Sequence, residues 1–400
     1  RKTMNGSKSC PSRVAEHIRG LPRSGIRDFF DIVSEMDDVI SLGIGEPDFV
    51  TPWRIREATI HALERGFCNY TSNLGLTEFR RTVTEHVEAC FAVRYDPTTE
   101  CIATVGVSEA LDLILRATLN PGDEVLYHEP CYVSYGPSVA MTHAVPVPIP
   151  TREQESFSLN PEDVRAAVTP KSRVLLLNFP CNPTGADLTT HQKQEIAKIA
   201  VDNDLIVLTD EIYTDLTYAE RAPCIAALPG MRERTVILHG FSKSYAMTGY
   251  RIGYACGPQD LIEAMMKVHQ YSMLCASSLG QVAGIEALRN SRDDMLAMKR
   301  EYEERRNVIV KRLNQMGMRC TTPRGAFYVF PRIPELGMDS HTFAHALLRE
   351  QSVAVVPGTA FGACGEGFVR CSYATALDEI EIAMARIASF IDAHTAAGEG

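Results

Sequence analysis

Phe241-Ser242-Lys243-Ser244-Tyr245-Ala246-Met247-Thr248-Gly249-Tyr250-Arg251 carries little charge for a stretch that contains a lysine, and it directly follows the apolar run Thr235-Val236-Ile237-Leu238. Either that run is an edge strand and Lys243 is ordinary, or the strand is buried and the lysine is kept from bulk water for chemistry. Arg251 closes the stretch, and an acid–tyrosine pair stands upstream in Asp210-Glu211-Ile212-Tyr213.

Outward from this stretch the pattern is α/β. Apolar segments at 101–105, 124–127, 145–149, 174–178, 205–209, 235–239 and 252–256 read as strands. Helical patterns open at Ser108 and run to Leu119, then recur at 132–140 and 190–201, with a short helix starting at Asn160 or Pro161. Val174-Leu175-Leu176-Leu177 is continuously apolar, as in a strand covered on both faces. Pro146 and Pro148 move 145–149 to an edge, because proline cannot donate to a ladder. This alternation predicts a mostly parallel seven-stranded sheet between helices, with right-handed crossovers.

Upstream, residues 26–36 are predicted helical. Gly43, Gly45 and Pro47 suit either a plain connector or a backbone that approaches something closely. Pro52 opens a helix through Ile60 and Leu63, 69–75 is a loop, and Thr77 caps the next helix. Beyond residue 260 come helices at 261–273 and 281–288, then a long charged one at 293–316. Strands at 325–330, 353–356 and 368–373, with helices at 341–349 and 377–393, predict a smaller α+β domain. The expected division is an N-terminal segment, 1–50, packing with the small domain; a large domain, 51–292; and a small C-terminal domain, 293–400.

A chain of 400 residues exceeds the range of a single compact core. Apolar residues at 45% and charged residues at 22% describe an ordinary globular protein. A net charge of -10 argues against general nucleic-acid binding. No apolar run reaches the roughly 18 residues of a membrane helix, and the polar, basic start is not a signal peptide. The 12 cysteines are scattered without a CxxC, which suits buried thiols in a reducing compartment, the cytoplasm, better than disulfides or a metal centre.

In open α/β sheets ligands bind beyond the carboxyl ends of the strands. There the chain places Gly106-Val107-Ser108 at a helix start, the loop Asn178-Phe179-Pro180-Cys181-Asn182-Pro183-Thr184-Gly185, then Asp210 with Tyr213, and Ser242-Lys243 with Arg251. Each has a plain structural reading. Ser108 and Asp210 can cap helices, Tyr132 can be core, Arg251 a surface charge and Arg370 half of an ion pair. Together, an amine, a phosphate clamp and a carboxylate suit pyridoxal phosphate: the amine condenses with its aldehyde, the carboxylate keeps its ring nitrogen protonated, and arginine grips its phosphate. A Rossmann site fits less well, since no strand leads into GxGxxG, and a Walker A loop is absent.

These motifs, together with SLGIGEPD at 41–48, GAFY at 325–328 and Arg370, resemble the fold-type I, class I/II pyridoxal-phosphate aminotransferases across residues 15–393. The pattern is most similar to prokaryotic aspartate and aromatic amino-acid aminotransferases. The resemblance implies a PLP-binding large domain and transfer of an amino group from an L-amino acid, aspartate or aromatic, to a 2-oxo acid such as 2-oxoglutarate. It implies catalytic roles for Lys243, Asp210 and Tyr213. Cofactor contacts are expected from Val107, Ser108, Tyr132, Asn182, Asp210, Tyr213, Ser242, Lys243 and Arg251, and from Tyr70 donated by a second subunit of a homodimer. Gly45, Asn182 and Arg370 are expected to hold the substrate carboxylate; no metal is implied. Two departures stand out. Gly240 replaces a serine common in relatives, and no arginine near 271–279 offers itself to a distal carboxylate, which leaves Arg19, Arg23 or Arg27, or hydrogen bonds. A C–S β-lyase or an alanine/diaminopimelate-type aminotransferase is the alternative within the fold.

Overall fold

A computed structural model describes residues 13–22, 26, 33, 36 and 38–398. The helix expected at 26–36 lies mostly outside the described residues, as do Arg23 and Arg27.

The strands, in chain order, are β1 (Ile40–Ser41), β2 (Cys101–Thr104), β3 (Glu124–Glu129), β4 (Val145–Pro150), β5 (Ser172–Asn178), β6 (Ile206–Asp210), β7 (Thr235–Gly240), β8 (Gly253–Cys256), β9 (Tyr328–Val329), β10 (Val353–Ala354), β11 (Val356–Pro357) and β12 (Val369–Ser372). Seven form one sheet in the order β2-β8-β7-β6-β5-β3-β4. β8 runs antiparallel to both of its neighbours, and the other pairings are parallel. Proline-rich β4 is an edge strand.

The apolar runs alternate between two covered faces. Leu175, Leu177 and Val207 pack with Ile196 and Ile199 of the helix Thr190–Asp202. Val174, Leu176, Leu208, Val236 and Leu238 pack on the opposite side with Leu111, Ile114 and Leu115 of the helix Gly106–Thr118 and with Ile262 and Met265 of Gln259–Ser272. Period-two burial with helices on both faces is why these runs read as continuously apolar.

A smaller α+β part follows. β11, β12 and β9 form an antiparallel sheet, and β10 pairs in parallel with β1, which draws the N-terminal segment against it. Ile309, Leu313, Phe343, Leu347, Ile380, Met384, Ile387 and Phe390, from three helices, bury against Val329, Val353 and Val369. Arg305, on the long helix Arg292–Gln315, pairs with Asp48 at 2.8 Å and lies over the Phe49 and Tyr302 rings. That clamp fixes the end of the Gly43–Asp48 segment.

Four local expectations change. The strand expected at 325–330 shortens to β9, with Gly325 in an isolated bridge to Thr217, because Ala326 between them takes a left-handed φ of 61°. Residues 353–356 split between two sheets at Val355. Thr77 is the first residue of its helix rather than the cap. The helix expected at 132–140 begins at Tyr135.

Candidate active site

β2, β5, β6 and β7 point the same way, so their carboxyl ends share one rim of the sheet. A cavity of about 420 Å³ lies there, within the ~300–1,000 Å³ typical of small-molecule clefts. Gly45, Val107, Ser108, Tyr132, Asn182, Asp210, Tyr213, Ser242, Lys243, Arg251 and Arg370 all line it. Tyr70 does not: it is 83% exposed on the surface of this chain. Arg19 is likewise exposed and outside the lining.

Lys243 follows β7 and donates to the Gly45 carbonyl at 2.6 Å. Burial pulls its amine down to about 8; Glu46 opposes this, and Arg370 and Arg251 reinforce it. Glu46 in turn accepts from the Thr248 hydroxyl. A side chain at position 45 would bring its Cβ within 2.7 Å of the Tyr328 hydroxyl, so glycine is what lets this backbone reach the lysine.

Asp210 ends β6 and is buried. Its Oδ2 accepts from the Tyr135 hydroxyl at 2.7 Å, and its Oδ1 from the Ile212 N–H at 3.1 Å. Burial raises the carboxyl to about 6, against the pull of these two donors. Asn178 Nδ2 donates to the Asp210 carbonyl, and Asn178 Oδ1 accepts from the Asn182 N–H. His128 Nε2 accepts from the Asn178 N–H, and burial holds this imidazole neutral with its pKa near 4. Tyr135 and His128 were absent from the sequence-derived site. The sequence pattern puts Tyr135 on a helix, but nothing in local spacing ties a phenol to a carboxylate 75 positions away.

The helix Gly106–Thr118 starts two residues before the expected Ser108, with Val105 at its N-cap and no side-chain cap bond. The first-turn N–H groups of Gly106, Val107 and Ser108 therefore have no intrahelical acceptor and could receive an anion. Arg251, itself left-handed at φ 50°, stands over this turn: a Cβ on Gly106 would lie 2.8 Å from Arg251 Nη2. Gly240 is explained by packing. A Cβ there would meet the Gly253 Cα at 3.1 Å and the Ile252 carbonyl at 3.2 Å.

Arg370, on β12, is 2% exposed. Its Nη1 donates to Asn182 Oδ1 at 2.9 Å and its Nη2 to the Gly43 carbonyl at 2.6 Å, while the Tyr328 and Phe361 rings lie 4.4 and 4.8 Å from Cζ. Its Nε is buried without a hydrogen-bond partner among the described residues. Guanidinium offers five donors, so those left over can meet an oxyanion two-pronged. The Tyr213 hydroxyl bonds that of Tyr328 at 2.9 Å, and burial keeps its phenol protonated.

The chain also resembles known proteins throughout this architecture. The sequence signature of the family described as "Aminotransferase class I and II" matches residues 37–387. An aspartate aminotransferase of Pyrococcus abyssi is 45% identical over 367 residues, covering 91% of this chain and 94% of that protein. Aromatic-amino-acid aminotransferase 2 of Thermococcus litoralis is 43% identical over 377 residues, covering 94% and 97%. The crystal structure of an aromatic aminotransferase from Pyrococcus horikoshii superposes with a TM-score of 0.88 at 43% identity, covering 92% of this chain and 99% of that one.

Proposed function

The chain belongs to the class I and II aminotransferase family, and from that premise we propose that its cavity holds pyridoxal 5′-phosphate and serves amino transfer from an aromatic L-amino acid or aspartate to a 2-oxo acid such as 2-oxoglutarate. One observation carries the reading: a half-buried lysine with a lowered pKa, a buried carboxylate and an uncapped helix start facing an arginine converge on one cavity. These residues fit the cofactor in charge and donor type.

When bound, pyridoxal phosphate supplies an aldehyde for the amino group and a ring that draws off the electron pair at the substrate α-carbon. With its pKa at about 8, about a tenth of Lys243 is free amine at pH 7, some three-hundredfold more than for an ordinary lysine. Lys243 Nζ would be the base that takes the α-proton from the donor in the first half-reaction and delivers a proton to the α-carbon of the acceptor in the second. Asp210 would hold a proton on the ring nitrogen, braced by Tyr135. Asn182 and Tyr213 would meet the ring 3-oxygen, and Tyr132 its face. Val107, Ser108, Ser242 and Arg251 would hold the phosphate. Arg370, with Asn182 and the Gly45 backbone, would grip the α-carboxylate common to both substrates.

Once Arg370 and Arg251 are so engaged, no further arginine lines the cavity among the described residues, and Ile26, Leu111, Tyr132 and Val133 offer apolar wall. This favours an aromatic donor. A distal carboxylate would depend on Arg19, Arg23 or Arg27, or on hydrogen bonds alone.

A homodimer with shared sites is part of the same reading. Tyr70 stands exposed in a region that also shows Ile60, Leu63, Phe67, Tyr271, Met273 and Leu274 to solvent. Asn73 donating to the Leu274 carbonyl, and Ser278 to that of Phe67, tie these segments together. A second copy covering this apolar surface would bring Tyr70 to its neighbour's cavity. The thiols, all free among the described cysteines, support a cytoplasmic setting, and no described helix is long and apolar enough to cross a membrane.

The test is a single-turnover panel. Cofactor-loaded enzyme is mixed in turn with phenylalanine, tyrosine, aspartate, glutamate, alanine and lysine, and the cofactor absorbance is followed to its amine form. Fast conversion with the aromatics and slow conversion with aspartate is expected. The reverse order would overturn the aromatic assignment, and release of a thiol, pyruvate and ammonia from an added β-thio amino acid such as cystathionine, with the cofactor left in its aldehyde form, would replace transfer by lyase chemistry.

A further inference from the structure

Behind the segments that carry Tyr213 and Lys243 lies a second cavity, of about 190 Å³. Arg221, Arg292 and Lys299 line it, and Asp215 is the sole carboxylate among its lining residues. Arg292 and Lys299 lie two turns apart on one face of the helix Arg292–Gln315, whose N-terminus opens at this cavity. Asp215 is already engaged, since His239 Nε2 stands 3.3 Å from its Oδ2. The three cations are not: among the described residues no carboxylate comes within ion-pair distance of any of them, and Arg221 Nη2 is buried without an acceptor. Arg221 instead lies over the Phe91 ring, 4.5 Å from its centroid. Glu211 and Glu303, which act on Arg221 and Lys299 through space, are outside the lining.

Three cations against one carboxylate leave an excess of positive charge around the cavity; Arg292 is exposed and Arg221 and Lys299 are half-buried, so an anion can reach that excess from solution. A neutral donor adds to them. His86 lines the cavity with Nε2 shielded and unpartnered, while its Nδ1 sits 3.7 Å from Cys90 Sγ. If Nδ1 accepts from the thiol, Nε2 carries a free N–H.

We propose that this cavity binds a small doubly charged oxyanion of the phosphate class, at a site separate from the one at the strand ends. Arg221, Arg292 and Lys299 supply the charge, and the His86 N–H and the start of the helix Arg292–Gln315 supply neutral donors. His86, Asp215 and His239 also lie close enough together to suggest a metal centre, their ligand atoms all within 4.8 Å of one another. A divalent cation there would add two charges beside three cations, which disfavours it.

Isothermal titration of cofactor-loaded enzyme with inorganic phosphate, in a chloride buffer at pH 7.5, tests the proposal. The loaded enzyme already has its first phosphate site filled. One phosphate per chain is expected, bound about tenfold or more weakly by Arg221→Gln and by Arg292→Gln. The second variant alters an exposed side chain and keeps the test informative if the first fails to fold. Its amino-transfer rate in phosphate-free buffer should stay within about twofold of the parent's. No binding of phosphate, or binding unchanged in Arg292→Gln, overturns the proposal. So does zinc binding one-to-one that is lost in His239→Asn while phosphate does not bind.

Discussion

Tyr135 and Asp210 show how much of this site rests on a single contact. The phenol at 2.7 Å opposes a burial penalty that has already carried the carboxyl to about 6. Tyr135→Phe removes the donor and leaves the burial, so Asp210 should keep its proton to still higher pH. The acid limb of the kcat/KM profile is expected to move up by about one pH unit, the worth of one hydrogen bond to a charged group. An unmoved limb would mean that Tyr135 is only core. Asp210 also affects stability. Folded, it releases its proton near 6; unfolded, near the ordinary 3.8. Between those values the folded chain binds more protons, so stability falls as pH rises from about 4 to 6, and the full cost stands above 6. Asp210→Asn removes that cost. The cofactor-free variant should be more stable than the parent at pH 8, by on the order of 2–3 kcal/mol, with the gain shrinking toward pH 4 as thermal melts are repeated downward.

At the scale of elements, the anion site depends on three glycines where β7, β8 and the helix Gly106–Thr118 meet. Gly240 faces Gly253 in the ladder, and a Cβ on Gly253 would lie 2.9 Å from the Gly106 carbonyl carbon and 3.0 Å from the Val107 nitrogen. Nothing flexible can yield there, because the obstructing atoms are backbone. Gly253→Ala should push the helix start away from the sheet, costing about 1–3 kcal/mol and weakening cofactor binding about tenfold, as read by cofactor titration of the apo-enzyme. A variant that melts lower yet binds the cofactor as tightly would uncouple the packing from the site. Along the sequence Gly240 shows only as a missing serine; its reason lies across the ladder. The direction of β8 was equally hidden, since an apolar strand buried on both faces carries the same pattern whichever way it runs.

For the whole molecule, the proposed homodimer makes a distinct claim: each cavity needs Tyr70 from the other chain. Tyr70→Ala and Lys243→Ala homodimers should both be nearly inactive. Unfolded and refolded together, they form mixed dimers in which one of the two sites has both residues, so about a quarter of wild-type activity should return. No recovery would place Tyr70 outside the partner's site. The β1–β10 pairing and the Arg305–Asp48 clamp hold the N-terminal segment against the smaller part, which favours the packing proposed for 1–50; the limits 51–292 and 293–400 are proposals. By itself the sequence determined what is local. Apolar runs specified strands, turn residues specified rim loops, and the order of strands and helices specified a mostly parallel sheet whose rim gathers Asn182, Asp210, Lys243 and Arg251. Motif spacing was enough for Asn182, Asp210 and Lys243, each within a few residues of its own strand end, whereas Arg251 precedes β8 and reaches the rim because β8 runs antiparallel. Only the tertiary structure decided that Tyr135 reaches Asp210, that Gly45 receives Lys243, that Arg370 is held between Tyr328 and Phe361, and that Arg221, Arg292 and Lys299 share a cavity. Those contacts join residues distant in the chain, and their distances follow from how helices and sheet pack, which no periodicity along the sequence records.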